Sequence, residues 1–317
     1  MWKRRSLRYH DGRVESAAGD RPTTRRIVIL VHGFNNDWAE ASKNYRDFAQ
    51  QLDSVAGGRL ISHDWAQVWK LFWPGYVVRP LSPVHEERPD VLPHLHDPAD
   101  EEKHFVQSAF SYSRQVKKAP DVGTALADFL DAHGALEVVF VAHSLGCRVV
   151  LEALRALKAK GHDLRIRLKG TCLMAAAVPT YMVADVSTGS IGTMIRDSPS
   201  MRVLYSGRDT VLRWAFPPGQ WLANEGARTE AVGLRGGPRG AWRARDDSGL
   251  RHGHYWSHAS TAPHGLRLMG LAPAVRDHLS GMSEFAPIAR SLPMSAGPLV
   301  NRLPARSLRT TTPLDDF

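Results

Sequence analysis

Cysteine is nearly missing from this chain: Cys147 and Cys172 are the only two in 317 residues. That excludes a disulfide framework and fits a reducing compartment, so a cytoplasmic protein is expected. With no cysteine pair at close spacing, a structural zinc site is not expected either. Long apolar runs are also lacking. The longest, at 27–31, 138–142 and 172–178, are strand-sized, far short of the about 18 apolar residues of a membrane-crossing helix. The basic start, MWKRRSLRYHDGR, is not followed by an apolar stretch and does not read as a secretory signal.

Acidic residues fall short of basic ones, 32 against 41, leaving a formal net charge of +9. The excess gathers at 1–26, with eight Lys/Arg against three acids, and at 228–251, with six Arg against three acids. Such a balance allows weak association with anionic membrane surfaces. No zinc finger, RNP aromatic pattern or sustained basic helix accompanies it, so nucleic acid is not an expected partner. What remains is ordinary globular composition, 43% apolar and 23% charged, on a chain long enough for one sizeable core.

Residues 1–24 are polar and aperiodic and read as a basic lead-in. The run at 27–31, apolar on both faces, predicts a central parallel strand. Asp37 is placed to cap a helix over 37–52, with Trp38, Ala41, Tyr45, Phe48, Ala49 and Leu52 on one face. A strand is expected at 68–73, stopped by Pro-Gly. Residues 77–103 hold five prolines and read as an irregular, cap-like insertion. One or two helices with a break near Pro120 are expected over 104–133. Further strands are expected at 136–142, 166–177, 201–206 and, shorter, at 229–234. The stripe Leu145, Val149, Val150, Leu154 and Leu157 predicts a helix that Gly161 would end. Residues 258–280 look largely helical, and 283–317 read as an extended tail. Strands alternating with helices over 25–282 imply one domain of the α/β class, a mostly parallel sheet covered by helices on both faces.

The chemistry centres on Val141-Ala142-His143-Ser144-Leu145-Gly146, between a buried-type strand and an amphipathic helix. A sharp strand-to-helix turn of this kind exposes a serine hydroxyl and demands small residues two before and two after it. Gly146 meets that demand; Ala142 stands where glycine is usual and adds one methyl. The plainer alternative is a serine that only caps a helix. Acyl transfer also needs two N–H groups aimed at the developing oxyanion. Leu145, after the serine, and Phe34, in the loop after His32-Gly33, are the candidates. His143 is a poor base because its side chain faces another side of the turn, and His32 fits a local role in shaping the oxyanion loop. The histidines at 85, 94, 96 and 104 have irregular, proline-interrupted spacing, so no metal is expected. Cys147 reads as core, as do Trp65, Trp69 and Trp73, although these tryptophans could line an acyl pocket.

ILVHGFNND, VWKLFWPG, FVAHSLG, LMAAAVP, LYSGRDTVL and GHYW occur in the order seen in α/β-hydrolase-fold serine esterases and lipases. Over roughly 25–270 the chain resembles an uncharacterised branch of that superfamily with an HGFN oxyanion loop and an AHSLG nucleophile elbow. The resemblance implies the order nucleophile, acid, histidine. Asp209, just past the 201–206 strand, is then the acid, with Asp185 and Asp197 behind it. For the histidine, His254 follows glycine and precedes an aromatic residue, as in the family, and is preferred. The H-x-x-Y-W spacing argues instead for His252, and His258 comes third. The implied activity is hydrolysis of carboxylic esters, small-molecule or lipid, through an acyl-enzyme and without a cofactor. An acyltransferase or amidase with the same three residues, or an inactive binding protein on this fold, are the alternatives.

Overall fold

A computed structural model describes residues 5–56, 67–74, 98–134, 136–198, 200–226 and 229–270, with the backbone alone for 98–110. The insertion expected at 77–103 falls almost wholly outside these residues, as do the tail at 283–317, Trp65 and the histidines at 85, 94 and 96.

The described residues form eight strands, β1 (Arg5–His10), β2 (Arg13–Ser16), β3 (Arg26–Val31), β4 (Gln67–Phe72), β5 (Glu137–His143), β6 (Leu168–Met174), β7 (Met201–Tyr205) and β8 (Ala244–Asp247). They form one sheet in the order β2-β1-β4-β3-β5-β6-β7-β8. Only the β1–β2 hairpin is antiparallel. This is the α/β-hydrolase fold that the motifs implied. The central strands β3 and β5 are buried on both sides along nearly their whole length, which explains their unbroken apolar runs.

Three long helices cover the sheet: α1 (Trp38–Val55), α2 (Pro98–Ala132) and α3 (Gly146–Ala159). Shorter ones follow at α4 (Leu164–Arg167), α5 (Thr180–Ala184), α6 (Ile191–Asp197), α7 (Phe216–Leu222), α8 (Val232–Arg235) and α9 (Ala262–Leu268). Asp37 caps α1 as expected, and Glu40 completes a reciprocal capping box with it. Beyond Lys160, Gly161 takes φ +84°, and the N–H groups of Gly161 and His162 return to the carbonyls of Lys158 and Leu157. That is a Schellman termination of α3.

Four expectations need correction. The lead-in is not loose: residues 5–16 form the β1–β2 hairpin, and β1 pairs with β4 because Leu7 and Arg5 bury against the sheet. Pro120 does not break α2. Val116, Ala119 and Val122 around it are fully buried, and packing overrides the lost backbone bond. Residues 229–234 hold no strand; Ala231 makes an isolated bridge and α8 begins at Val232. The last strand is β8, which lacks the apolar alternation that marks strands. Of 258–280, the described part is helical only over α9.

Candidate active site

Ser144 lies between the end of β5 and the start of α3 with φ +54°. A non-glycine residue there is held at a cost of about 1–2 kcal/mol. The turn is fixed on both sides. Ser144 N–H donates to the Met174 carbonyl at 2.9 Å, and Ala177 N–H donates to the Ser144 carbonyl at 3.1 Å. Gly146 is demanded sterically, since a Cβ there would lie 2.3 Å from the His32 carbonyl oxygen. At Gly33 a Cβ would lie 2.6 Å from Ser144 Cβ, so the loop after β3 presses directly on the serine. Ala142 is fully buried, in register with Val31 and Leu173 on the neighbouring strands.

That loop is braced from several directions. His32 is buried; its Nδ1 donates to the Gly33 carbonyl at 2.8 Å and its Nε2 accepts from Trp73 N–H at 3.4 Å. Burial pushes its pKa down to about 4, so the ring is neutral at pH 7. Asn36 Nδ2 donates to the Phe34 carbonyl at 3.0 Å, and Asn44 of α1 holds Asn36 at 2.7 Å. Asn35, at φ +59°, makes the turn. Among the described residues the backbone N–H groups of Phe34 and Leu145 have no hydrogen-bond partner.

Asp209 follows β7 and is fully buried. Its Oδ1 accepts from Leu212 N–H at 2.9 Å, and its Oδ2 lies 2.7 Å from His252 Nδ1. His252 Nε2 lies 2.9 Å from Ser144 Oγ. A carboxylate can only accept, so Nδ1 carries the proton and Nε2 is free to accept from the serine hydroxyl. Ser144, His252 and Asp209 therefore form one continuous hydrogen-bonded chain.

The preference for His254 is overturned: the ring that spans the gap belongs to His252. The cause lies three and four residues on. Tyr255 and Trp256 are buried; Trp256 meets Tyr45 and Phe48 of α1 edge-on at 5.5 and 5.4 Å. Tyr255 Oη pairs with Ser248 Oγ at 2.9 Å, which donates to the Tyr205 carbonyl at 2.9 Å. These anchors fix the single 3₁₀ turn His252–His254 with its first residue over Ser144. His258 instead pairs with Ser260 in an exposed turn. Asp185 serves its own turn at Ser187, and Asp197 is bound to Lys158.

One contact escaped the sequence reading. His143 Nε2 lies 2.7 Å from the His252 carbonyl oxygen, so it donates there. Burial, followed by the nearby His252 ring, pushes the His143 pKa down to about 3. The expectation that His143 is not itself the base fits this geometry.

Fold and site together define an α/β hydrolase with a serine, histidine and aspartate linked at the ends of β5, β8 and β7. The chain belongs to the family described as alpha/beta hydrolase of unknown function (DUF900), whose model matches residues 17–216. Solved structures with similar folds include a predicted CIB-like hydrolase from Thermoplasma acidophilum, at 14% identity and TM-score 0.41, covering 84% of this chain and 98% of that one. The Thermus thermophilus protein TT1662 is 14% identical at TM-score 0.36, covering 79% and 90%. A cutinase-like protein from Cryptococcus sp. is 7% identical at TM-score 0.31, covering 80% and 100%. A search of curated proteins finds no match.

Proposed function

We propose that this hydrolase cleaves carboxylic esters, of small molecules or lipids, by two-step acyl transfer. Ser144 is the nucleophile, His252 the general base and acid, and Asp209 the residue that fixes the imidazole tautomer. Ser144 Oγ attacks the ester carbonyl while its proton passes to His252 Nε2. The carbonyl oxygen, now negative, is held by the N–H groups of Phe34 and Leu145. The C–O bond to the alcohol then breaks, and His252 returns the proton to the leaving alcohol. Water, deprotonated by the same nitrogen, attacks the acyl-enzyme and releases the acid and free Ser144.

The observation that carries this reading is the 2.9 Å contact between Ser144 Oγ and His252 Nε2 at a serine held in the left-handed region. Partnerless N–H groups on the flanking residues support it, because such groups are retained where a ligand will use them. A fluorophosphonate probe should label the wild type and leave Ser144→Ala unlabelled. On p-nitrophenyl esters of graded chain length, His252→Ala should lose about 10³-fold or more in kcat, whereas His254→Ala keeps most of it. Labelling that survives Ser144→Ala, or a greater loss at His254 than at His252, would reject the assignment.

A further inference from the structure

The stretch just after Asp209 carries more exposed apolar surface than a helix of a soluble face needs. A π-helical turn, Val211–Ala215, runs directly into α7, giving a continuous helical segment from Val211 to Leu222. Its inner side is buried at Leu212, Phe216, Gly219 and Gln220, and the last three meet Tyr112 of α2. At Gly219 a Cβ would lie 2.4 Å from the Tyr112 ring, and Tyr112 in turn meets Phe34 edge-on at 5.3 Å. The segment thus starts at the acid of the hydrogen-bonded chain and lies across Tyr112 from the oxyanion loop.

The outer side is apolar as well. Trp214 is 68% exposed, Trp221 58% and Val211 40%. Trp214 and Trp221, seven residues apart, recur after about two helical turns, away from the buried Phe216 and Gln220. Tyr181, also exposed, joins them through its hydroxyl, which donates to the Glu225 carbonyl just past α7. Charge on this stretch is of one sign. Arg208 and Arg213 are exposed, and Arg213 bonds the Gly207 carbonyl. The nearby acids are engaged: Asp209 is buried against His252, and Glu225 is bound by Arg148.

We propose that the outer face of residues 208–222 docks on an anionic lipid surface, with Trp214 and Trp221 entering the headgroup layer and Arg208 and Arg213 meeting lipid phosphates. Tryptophan is suited to that layer because its ring is apolar with one polar edge. Two cations beside the rings, with no free acid among them, complement a negative surface and would be wasted on a neutral one. No helix among the described residues is long and apolar enough to cross a membrane, so attachment by this face is peripheral. The docking does not depend on the esterase reading.

The test is sedimentation of the full chain with vesicles of phosphatidylcholine alone and of phosphatidylcholine mixed with phosphatidylglycerol. Circular dichroism and size-exclusion chromatography accompany each variant to report folding and self-association. The wild type should bind the mixed vesicles far better than the neutral ones. Trp214→Ala/Trp221→Ala should weaken that binding about tenfold or more. Arg208→Gln/Arg213→Gln should weaken it about tenfold and flatten its salt dependence. Three results would each overturn the proposal. One is a wild type that binds neither vesicle. Another is folded variants that bind like the wild type, which places contact on the basic segments 1–26 or 228–251. The last is a wild-type dimer that the double tryptophan variant dissolves, which assigns the face to a second copy of the chain.

Discussion

His143 stands next to the proposed nucleophile in sequence, yet its contact is with the residue proposed to activate it. Its Nε2 donates to the His252 carbonyl at 2.7 Å, while its Nδ1 is buried with no hydrogen-bond partner among the described residues. An unpartnered buried acceptor costs about 1–3 kcal/mol. Stability alone gives no reason to keep it there; holding the turn His252–His254 does. We propose that His143 is a positioning residue. His143→Leu should lower kcat on p-nitrophenyl acetate by about 10- to 100-fold, the scale of a small misplacement of the base, with little change in KM. His143→Gln, whose amide nitrogen reaches as far as Nε2, should recover most of that loss. Equal losses in both variants would show that the ring only fills space. Sequence could nominate Ser144, Phe34 and Leu145 from their own neighbours, and Asp209 from the residue order that the resemblance implies. It did not separate His252 from His254, since the deciding contacts run to Ser144, Ser248 and α1, well outside the local pattern.

At the scale of elements, burial on both faces separates what could be read from what could not. β3, β4, β5 and β7 announce themselves through apolar runs. β8, Ala-Arg-Asp-Asp, is an edge strand with no fully buried residue, and it becomes a strand only by pairing with β7. β1 and β2 are equally obscure, since only Arg5, Leu7 and Val14 of their side chains are buried. The α2–α3 contact was hidden for a different reason, because close packing of two helices needs a small residue whose partner is far away. That residue is Gly123: a Cβ there would lie 2.6 Å from Glu152 Cβ and 2.8 Å from the Val149 carbonyl oxygen. Glu152 cannot yield easily, being held by Arg148 and Arg155 at 2.8 Å each, with Arg148 forked onto Glu225. Gly123→Ala gains about 1 kcal/mol of helix propensity but costs about 1–3 kcal/mol of overpacking. The expected result is net destabilisation, read as a lower urea midpoint at unchanged m-value. A raised midpoint would mean that the helices part without cost.

At the scale of the whole molecule, the ends of β5, β7 and β8, with β6 between the first two, bring Ser144, Asp209 and His252 together across more than a hundred residues of chain, and the same gathering buries two neutral imidazoles, His32 and His143. Both have pKa values pushed down by burial, to about 4 and about 3, from an ordinary 6.5. Between those values and 6.5 the unfolded chain binds more protons than the native one, so stability rises with pH through this window. The contribution is fully present above about pH 7 and is lost as the medium is acidified toward the native pKa values. At pH 5 each imidazole should have cost about 2 kcal/mol. Urea unfolding at pH 7 and pH 5 measures their sum together with a contribution of the same sign from His264, whose pKa burial and the Arg202 guanidinium also lower. In His143→Gln one of these depressed rings is gone, so its fall in stability from pH 7 to pH 5 should be about 2 kcal/mol smaller than that of the wild type, whatever its stability at pH 7. An unchanged pH slope in the variant would mean that the native state takes up a proton at His143 near pH 6, which its burial and the neighbouring His252 ring oppose.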